Sequence, residues 1–152
     1  KGFEINEGGN NETQRAIIDA HIENISLDNV IMDRCIIDGA AYSYYFYEKD
    51  QISSSTWSHC IREGMRKCLR KMDIIFMTES VEMKDDGVRS TNIDFRERIE
   101  DIFNVYRKAF ENDDRQWGEG IRFNGEFIYL TGDVDKRFNE VKIAIDEYEC
   151  RT

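Results

Sequence analysis

The chain contains no proline at all. The residue that most firmly stops helices is therefore missing, and element boundaries must be marked by glycine, asparagine, serine and charge. It also lacks any run of about 18 apolar residues, so no membrane span is expected. Its opening residues, Lys1-Gly2-Phe3-Glu4-Ile5-Asn6-Glu7, have no apolar core of the kind a signal peptide needs. Histidine is scarce, with His21 and His59 far apart, and Cys35, Cys60, Cys68 and Cys150 form no C-x-x-C pair. Zinc-type spacing is thereby excluded, and the cysteines read as reduced thiols of a cytoplasmic protein. In that setting the glycosylation-type triplet Asn24-Ile25-Ser26 carries no weight. Positive charge is in deficit: the net charge is −10. Such a surface repels nucleic-acid phosphates and disfavours nonspecific binding to DNA or RNA, yet a few local arginines can still hold a small anion.

What is present fits one domain. The chain has 152 residues, 40% hydrophobic and 34% charged, enough to bury a core. Asn10 or Asn11 is placed to cap a helix running to about Asn24, with Ala16, Ile17 and Ala20 on its apolar face. Asn29 to Ile37 is a short β-branched run, which predicts a fully buried strand. Helices are predicted over Ala40–Lys49 and Ser53–Lys71, the second capped by Ser53, Ser54 or Ser55. Asp73–Thr78 predicts a second buried strand, Thr91 to about Asn112 a long amphipathic helix, and Glu126–Thr131 a third strand. A closing helix over Asp133–Glu149 has Val134, Phe138, Val141, Ile145 and Tyr148 on one face. Strands alternating with helices predict an α/β fold with a parallel sheet and right-handed crossovers.

Ligands of open α/β sheets bind at the carboxyl ends of the strands, which directs attention to three clusters. Asp33-Arg34 ends the first predicted strand. Its carboxylate could hold Mg²⁺ and its guanidinium could fork onto a phosphate; a structural ion pair is the alternative. The segment 79–98 carries Arg89, Arg96 and Arg98. A mobile loop bearing arginines could close over a triphosphate, although Arg96 and Arg98 cannot face the same way on one helical turn. Thr131-Gly132-Asp133 ends the last predicted strand. Gly8-Gly9, followed by Glu12-Thr13-Gln14, could bring backbone amides to an anion, or be an ordinary turn. Glu4 and Glu7 are either a base and a metal assistant or two exposed acids. The aromatics Tyr42, Tyr44, Tyr45, Phe46, Tyr47 and Trp57 suit a packed core better than a stacking site for a base or sugar.

These pieces, in this order, resemble the nucleoside and nucleotide kinase-like P-loop NTPases. The likeness is to the AAA-type ATPase/kinase family related to the ribosylnicotinamide kinase domain, common in bacteria and their phages. It rests on Asn6-Glu7-Gly8-Gly9, Glu12-Thr13-Gln14, Met32 to Gly39, Tyr42 and Tyr45 to Glu48, Asp73 to Phe76, Asp86 to Thr91 with Phe95-Arg96, and Leu130 to Val134. The resemblance implies a three-layer fold, a central parallel sheet with helices on both faces, and a single domain over 1–152 with a lid-like segment at about 79–98. It implies phosphoryl transfer from ATP or GTP, with Mg²⁺, to a nucleoside, nucleotide or modified base. By the same likeness Asp33 lies near the metal and Arg34 near the acceptor. Arg89 and Arg96 belong to the lid over the donor phosphates, Gly132, Asp133 and Val134 lie beside the adenine, and Glu7, Gly9 and Gln14 lie on the acceptor side. A homodimer is compatible with the sequence, which leaves the oligomeric state open. One feature of the family is missing: no stretch reads G-x-x-x-x-G-K-(S/T), the loop that holds the β- and γ-phosphates. The absent initiator methionine and the small number of strands lead to the expectation that a strand and this loop, about 30 to 50 residues, lie upstream.

Overall fold

A computed structural model describes residues 6–80, 92–112 and 121–151. After a 3-10 turn at Asn6–Gly8, helix α1 spans Asn11–Asn24 and α2 spans Ile36–Glu48. Helix α3 (Ser54–His59) widens into a π-helical stretch, Cys60–Met65, and closes as α4 (Arg66–Cys68). Strand β1 (Ile74–Thr78), helix α5 (Ile93–Glu111), strand β2 (Glu126–Leu130) and helix α6 (Val134–Arg151) complete the order.

The helix starts follow from side-chain capping. Asn10 Oδ1 accepts from the N–H groups of Glu12 and Thr13 at 3.0 and 3.1 Å. Ser53 Oγ accepts from Thr56 N–H at 3.3 Å, and Asn92 Oδ1 from Phe95 N–H at 3.0 Å. Each satisfies amides that the first helical turn cannot pair internally.

The run expected as the first strand is not a strand. Residues 29–35 are irregular, Asn29 (φ 54°) and Arg34 (φ 74°) are left-handed, and Ile31 is 84% exposed. Ile36 and Ile37 are buried, but as the first turn of α2, where Asp38 accepts from Cys35 N–H at 3.0 Å. A short apolar run serves a buried helix start as well as a buried strand, and strand preference is expressed only beside a partner. The sheet therefore has two strands among the described residues, β1 and β2, parallel, with Ile74 opposite Glu126 and Thr78 opposite Leu130. The structure is a mixed helical fold with this small parallel sheet.

The main core joins the helical half to the sheet. Ile18, Ile36, Cys60, Leu69, Ile75 and Phe110 belong to one buried cluster. Helix α5 covers the face of the sheet that carries Ile75, Met77 and Phe127, with Phe110 stacked on Phe127 at 4.7 Å. By alternation Ile74, Phe76 and Ile128 turn to the other face, where α6 is tied across both strands. A second cluster, Phe46, Ile52, Phe95 and Ile99, fastens α2 to α5.

Candidate functional site at the strand ends

The carboxyl ends of β1 and β2 meet at one carboxylate. Glu79 follows β1, and its N–H donates to Leu130 C=O at 3.0 Å. Its Oε1 accepts from Gly132 N–H at 2.7 Å and from Arg137 at 2.9 Å. Arg137 Nε also donates to Gly132 C=O at 2.7 Å. Gly132 has φ 92°, a conformation that costs a side-chain-bearing residue strain. Asp133 Oδ1 accepts from Lys136 N–H at 2.8 Å and so caps α6. Lys136 Nζ reaches Thr131 Oγ1 at 3.1 Å and Glu140 at 3.4 Å. The Gly132 amide, then the Arg137 guanidinium, hold the Glu79 carboxyl below its ordinary range. The result is a polar knot of two cations and three carboxylates around the turn that leads into an 18-residue helix.

Gly132 and Asp133, singled out from the sequence, sit in this knot, whereas Val134 is 79% exposed beside it. Glu79, Lys136 and Arg137 were not singled out as site residues. One signal could have found them. Lys136 and Arg137 lie in the first turn of a helix, where the dipole disfavours cations, so a nearby acid was to be expected.

The other expected residues lie apart. Asp33 and Arg34 are both exposed on the loop before α2. The Arg34 charge is felt by His21 and Asp38. Burial lowers the His21 pKa, with Asp38 opposing it and Arg34 reinforcing it, and burial raises that of Asp38 against the Cys35 amide and Arg34. Gln14 is buried and accepts from Ser43 Oγ at 3.1 Å, a bond that joins α1 to α2. Gly9 is buried where a Cβ would collide with the Phe46 ring, so close approach explains the glycine. The backbone C=O of Glu7 accepts from Gln51 Nε2 at 3.1 Å. Arg96 is half-buried on α5, and Arg98 pairs with Glu48 at 2.6 Å. Arg89 lies outside the described residues, as do Glu4 and most of the lid-like segment.

The aromatics divide. Phe46 is core at 1% exposure. Trp57 is half-buried, with Tyr47 stacked on it at 5.9 Å and Tyr44 tilted against it at 5.5 Å. The four cysteines are free thiols. Burial pushes Cys35 and Cys60 up to about 12 and Cys68 to about 11, so none of these three is a ready nucleophile near neutral pH.

Among the described residues no group of three or more His, Cys, Asp or Glu is arranged to hold a metal ion. Among them, too, no helix is long and apolar enough to cross a membrane. No protein-family model, curated protein or solved structure matches the chain.

Proposed function

We infer that the chain carries acceptor-side and lid residues of a phosphotransferase that uses ATP or GTP, with Mg²⁺, on a nucleoside, nucleotide or modified base. One observation supports this most. Two parallel strands joined by a helical crossover bring their carboxyl ends together at Glu79, Gly132, Lys136 and Arg137, the end of an open α/β sheet where ligands bind.

The fit to the expected groups is uneven. Mg²⁺ commonly takes one or two carboxylates and completes its shell with water and phosphate, so Asp33, an exposed single carboxylate, suits it. The donor's triphosphate does not fit. The sequence has no glycine-rich loop ending in lysine, Gly132 N–H is already bonded to Glu79, and Arg137 is neutralised by the same carboxylate. The chemistry assigned to this chain is therefore anion recognition. Arg34 would orient an acceptor's phosphate and neutralise its charge.

The test is calorimetric titration of the chain with AMP, GMP, CMP and UMP, with and without Mg²⁺. At least one should bind, and Arg34→Ala should weaken it about tenfold or more with no change in Tm, because Arg34 is exposed and lies outside the core. No binding of any nucleotide, or equal binding by the variant, would sink the reading. Acceptor-dependent turnover with ATP distinguishes a kinase from a nucleotide-binding regulatory module. A non-catalytic interaction domain has its own support, since Ile31, Val134 and Phe138 are large apolar residues left largely in solvent.

A further inference from the structure

Helices α1 and α3 meet along a polar seam. Asn11 Oδ1 accepts from Ser53 N–H at 2.8 Å and from the Thr56 hydroxyl at 2.7 Å. One turn on, Arg15 Nε donates to Thr56 Oγ1 at 3.1 Å, and a terminal nitrogen of the same guanidinium donates to Ser55 Oγ at 3.3 Å. A further turn on, His59 meets Asp19 at 2.8 Å. Thr56 is buried at 1% exposure and fixes both Asn11 and Arg15, whereas Ser53 and Ser55 are exposed.

The middle of this seam has more donors than acceptors. An amide oxygen offers two lone pairs, and those of Asn11 are taken by Ser53 N–H and Thr56 O–H. Ser53 Oγ, 3.1 Å from the same oxygen, is a surplus donor to it. Ser53 Oγ and Ser55 Oγ lie 2.9 Å apart, so one hydroxyl donates to the other and one hydroxyl hydrogen is left over. Both terminal nitrogens of Arg15 also keep unused N–H groups. Arg98, Arg107, Arg137 and Arg151 each pair with a carboxylate, but Arg15 has none among the described residues. Of its acidic neighbours on α1, Glu12 does not reach it and Asp19 takes His59 instead. A cation held by neutral hydroxyls, with O–H and N–H hydrogens to spare, lacks an anionic acceptor.

We propose that Arg15, Ser53 and Ser55 form a binding site for a phosphate monoester. The terminal nitrogens of Arg15 fork onto two phosphate oxygens, and the rotatable serine hydroxyls donate to the third. A carboxylate, with two oxygens, would leave donors unmet. The donors are side chains from two elements, not the amides of the six-residue helix α3. The site is separate from the acceptor site inferred above. His21, whose ring feels the Arg34 charge, is further along α1 than Arg15 by about 9 Å at the helical rise.

The probe is glycerol 3-phosphate, titrated into the whole chain at constant ionic strength and followed by the NMR signals of Arg15 Nε–H and the Ser55 amide. Both signals should move saturably. Arg15→Gln should weaken binding about tenfold or more, read at the Ser55 amide. Ser55→Ala, at an exposed position, should weaken it severalfold, and it decides alone if Arg15→Gln lowers Tm. Arg34→Ala should leave binding unchanged, so failure here and failure of the acceptor reading are told apart. No saturable shift, or undiminished binding by Ser55→Ala, overturns the proposal. So does loss of binding in Arg34→Ala, which would place the phosphate there. Shifts with inorganic phosphate but not with the ester would mean an adventitious ion only, and acetate bound as tightly as the ester would mean no phosphate site; either result overturns it too.

Discussion

The helical half, α1 to α4, and the strand-bearing half, β1 to α6, are finished to different degrees. In the first, even polar side chains are buried with partners: Gln14 takes Ser43, and Thr56 donates to Asn11 Oδ1 at 2.7 Å while accepting from Arg15. In the second, α6 buries only Ala144 and leaves Val134, Phe138 and Ile143 in solvent. The cause is where backbone hydrogen bonds go. A helix satisfies its own amides along its length, so four packed helices can close on themselves. A strand needs neighbours on both sides, and among the described residues the two parallel strands provide half of them.

Breaking the closed half should cost most. Phe46 is 1% exposed, lies 6.5 Å from the Phe95 ring and fills the space that Gly9 leaves open. Phe46→Ala is expected to lose about 3–5 kcal/mol in urea unfolding, by lost transfer energy and the cavity left behind. A loss under about 1 kcal/mol would mean that α2 and α5 are not held by this cluster.

A smaller loss tests the buried polar contact. Ser43→Ala strands the Gln14 carbonyl in the interior and should cost about 1–3 kcal/mol. Adding Gln14→Leu should recover part of that, since an apolar pair leaves no orphaned group. A double variant less stable than Ser43→Ala would show that Gln14 is held by more than Ser43.

Acid should find the closed half through His21. Its folded pKa lies below the ordinary value of 6.5 because burial disfavours the charged ring, with Asp38 opposing and Arg34 adding to the depression. A base with a lowered folded pKa binds its proton more readily when unfolded. Stability is therefore full above the ordinary histidine value and falls as pH drops below it. In His21→Gln, stability measured across that window should fall less steeply; an unchanged slope would place the acid sensitivity elsewhere.

The same division explains what the sequence disclosed. The starts of α1 and α3 were legible because Asn10 and Ser53 are capping residues whose effect is local. β1 and β2 were legible as short apolar runs between charges. The run from Asn29 to Ile37 looks the same by composition, but its two ends have different fates. Ile36 and Ile37 start a helix whose Cys35 amide is capped by Asp38, while Val30 and Ile31 stay outside. Composition does not say whether a partner edge stands beside a segment. Nor does it pair Glu79 with Arg137, which meet across the sheet ends from distant parts of the chain. Gly9 and Gln14, expected on the acceptor side, stand out in the sequence, and the structure gives both a packing reason.

The smallest expected effect is the most discriminating one. Phe138→Ser should change the stability of the isolated chain by no more than about 0.5 kcal/mol, because a side chain 67% exposed loses little that it had gained on folding. Phe46→Ala removes the same kind of ring from the closed half at several times that cost. The ratio of the two, measured in the same denaturant titration, gauges how unequal the halves are. If Phe138→Ser instead costs more than about 1.5 kcal/mol, its ring is covered in the folded chain and the two halves are less unequal than their exposures imply.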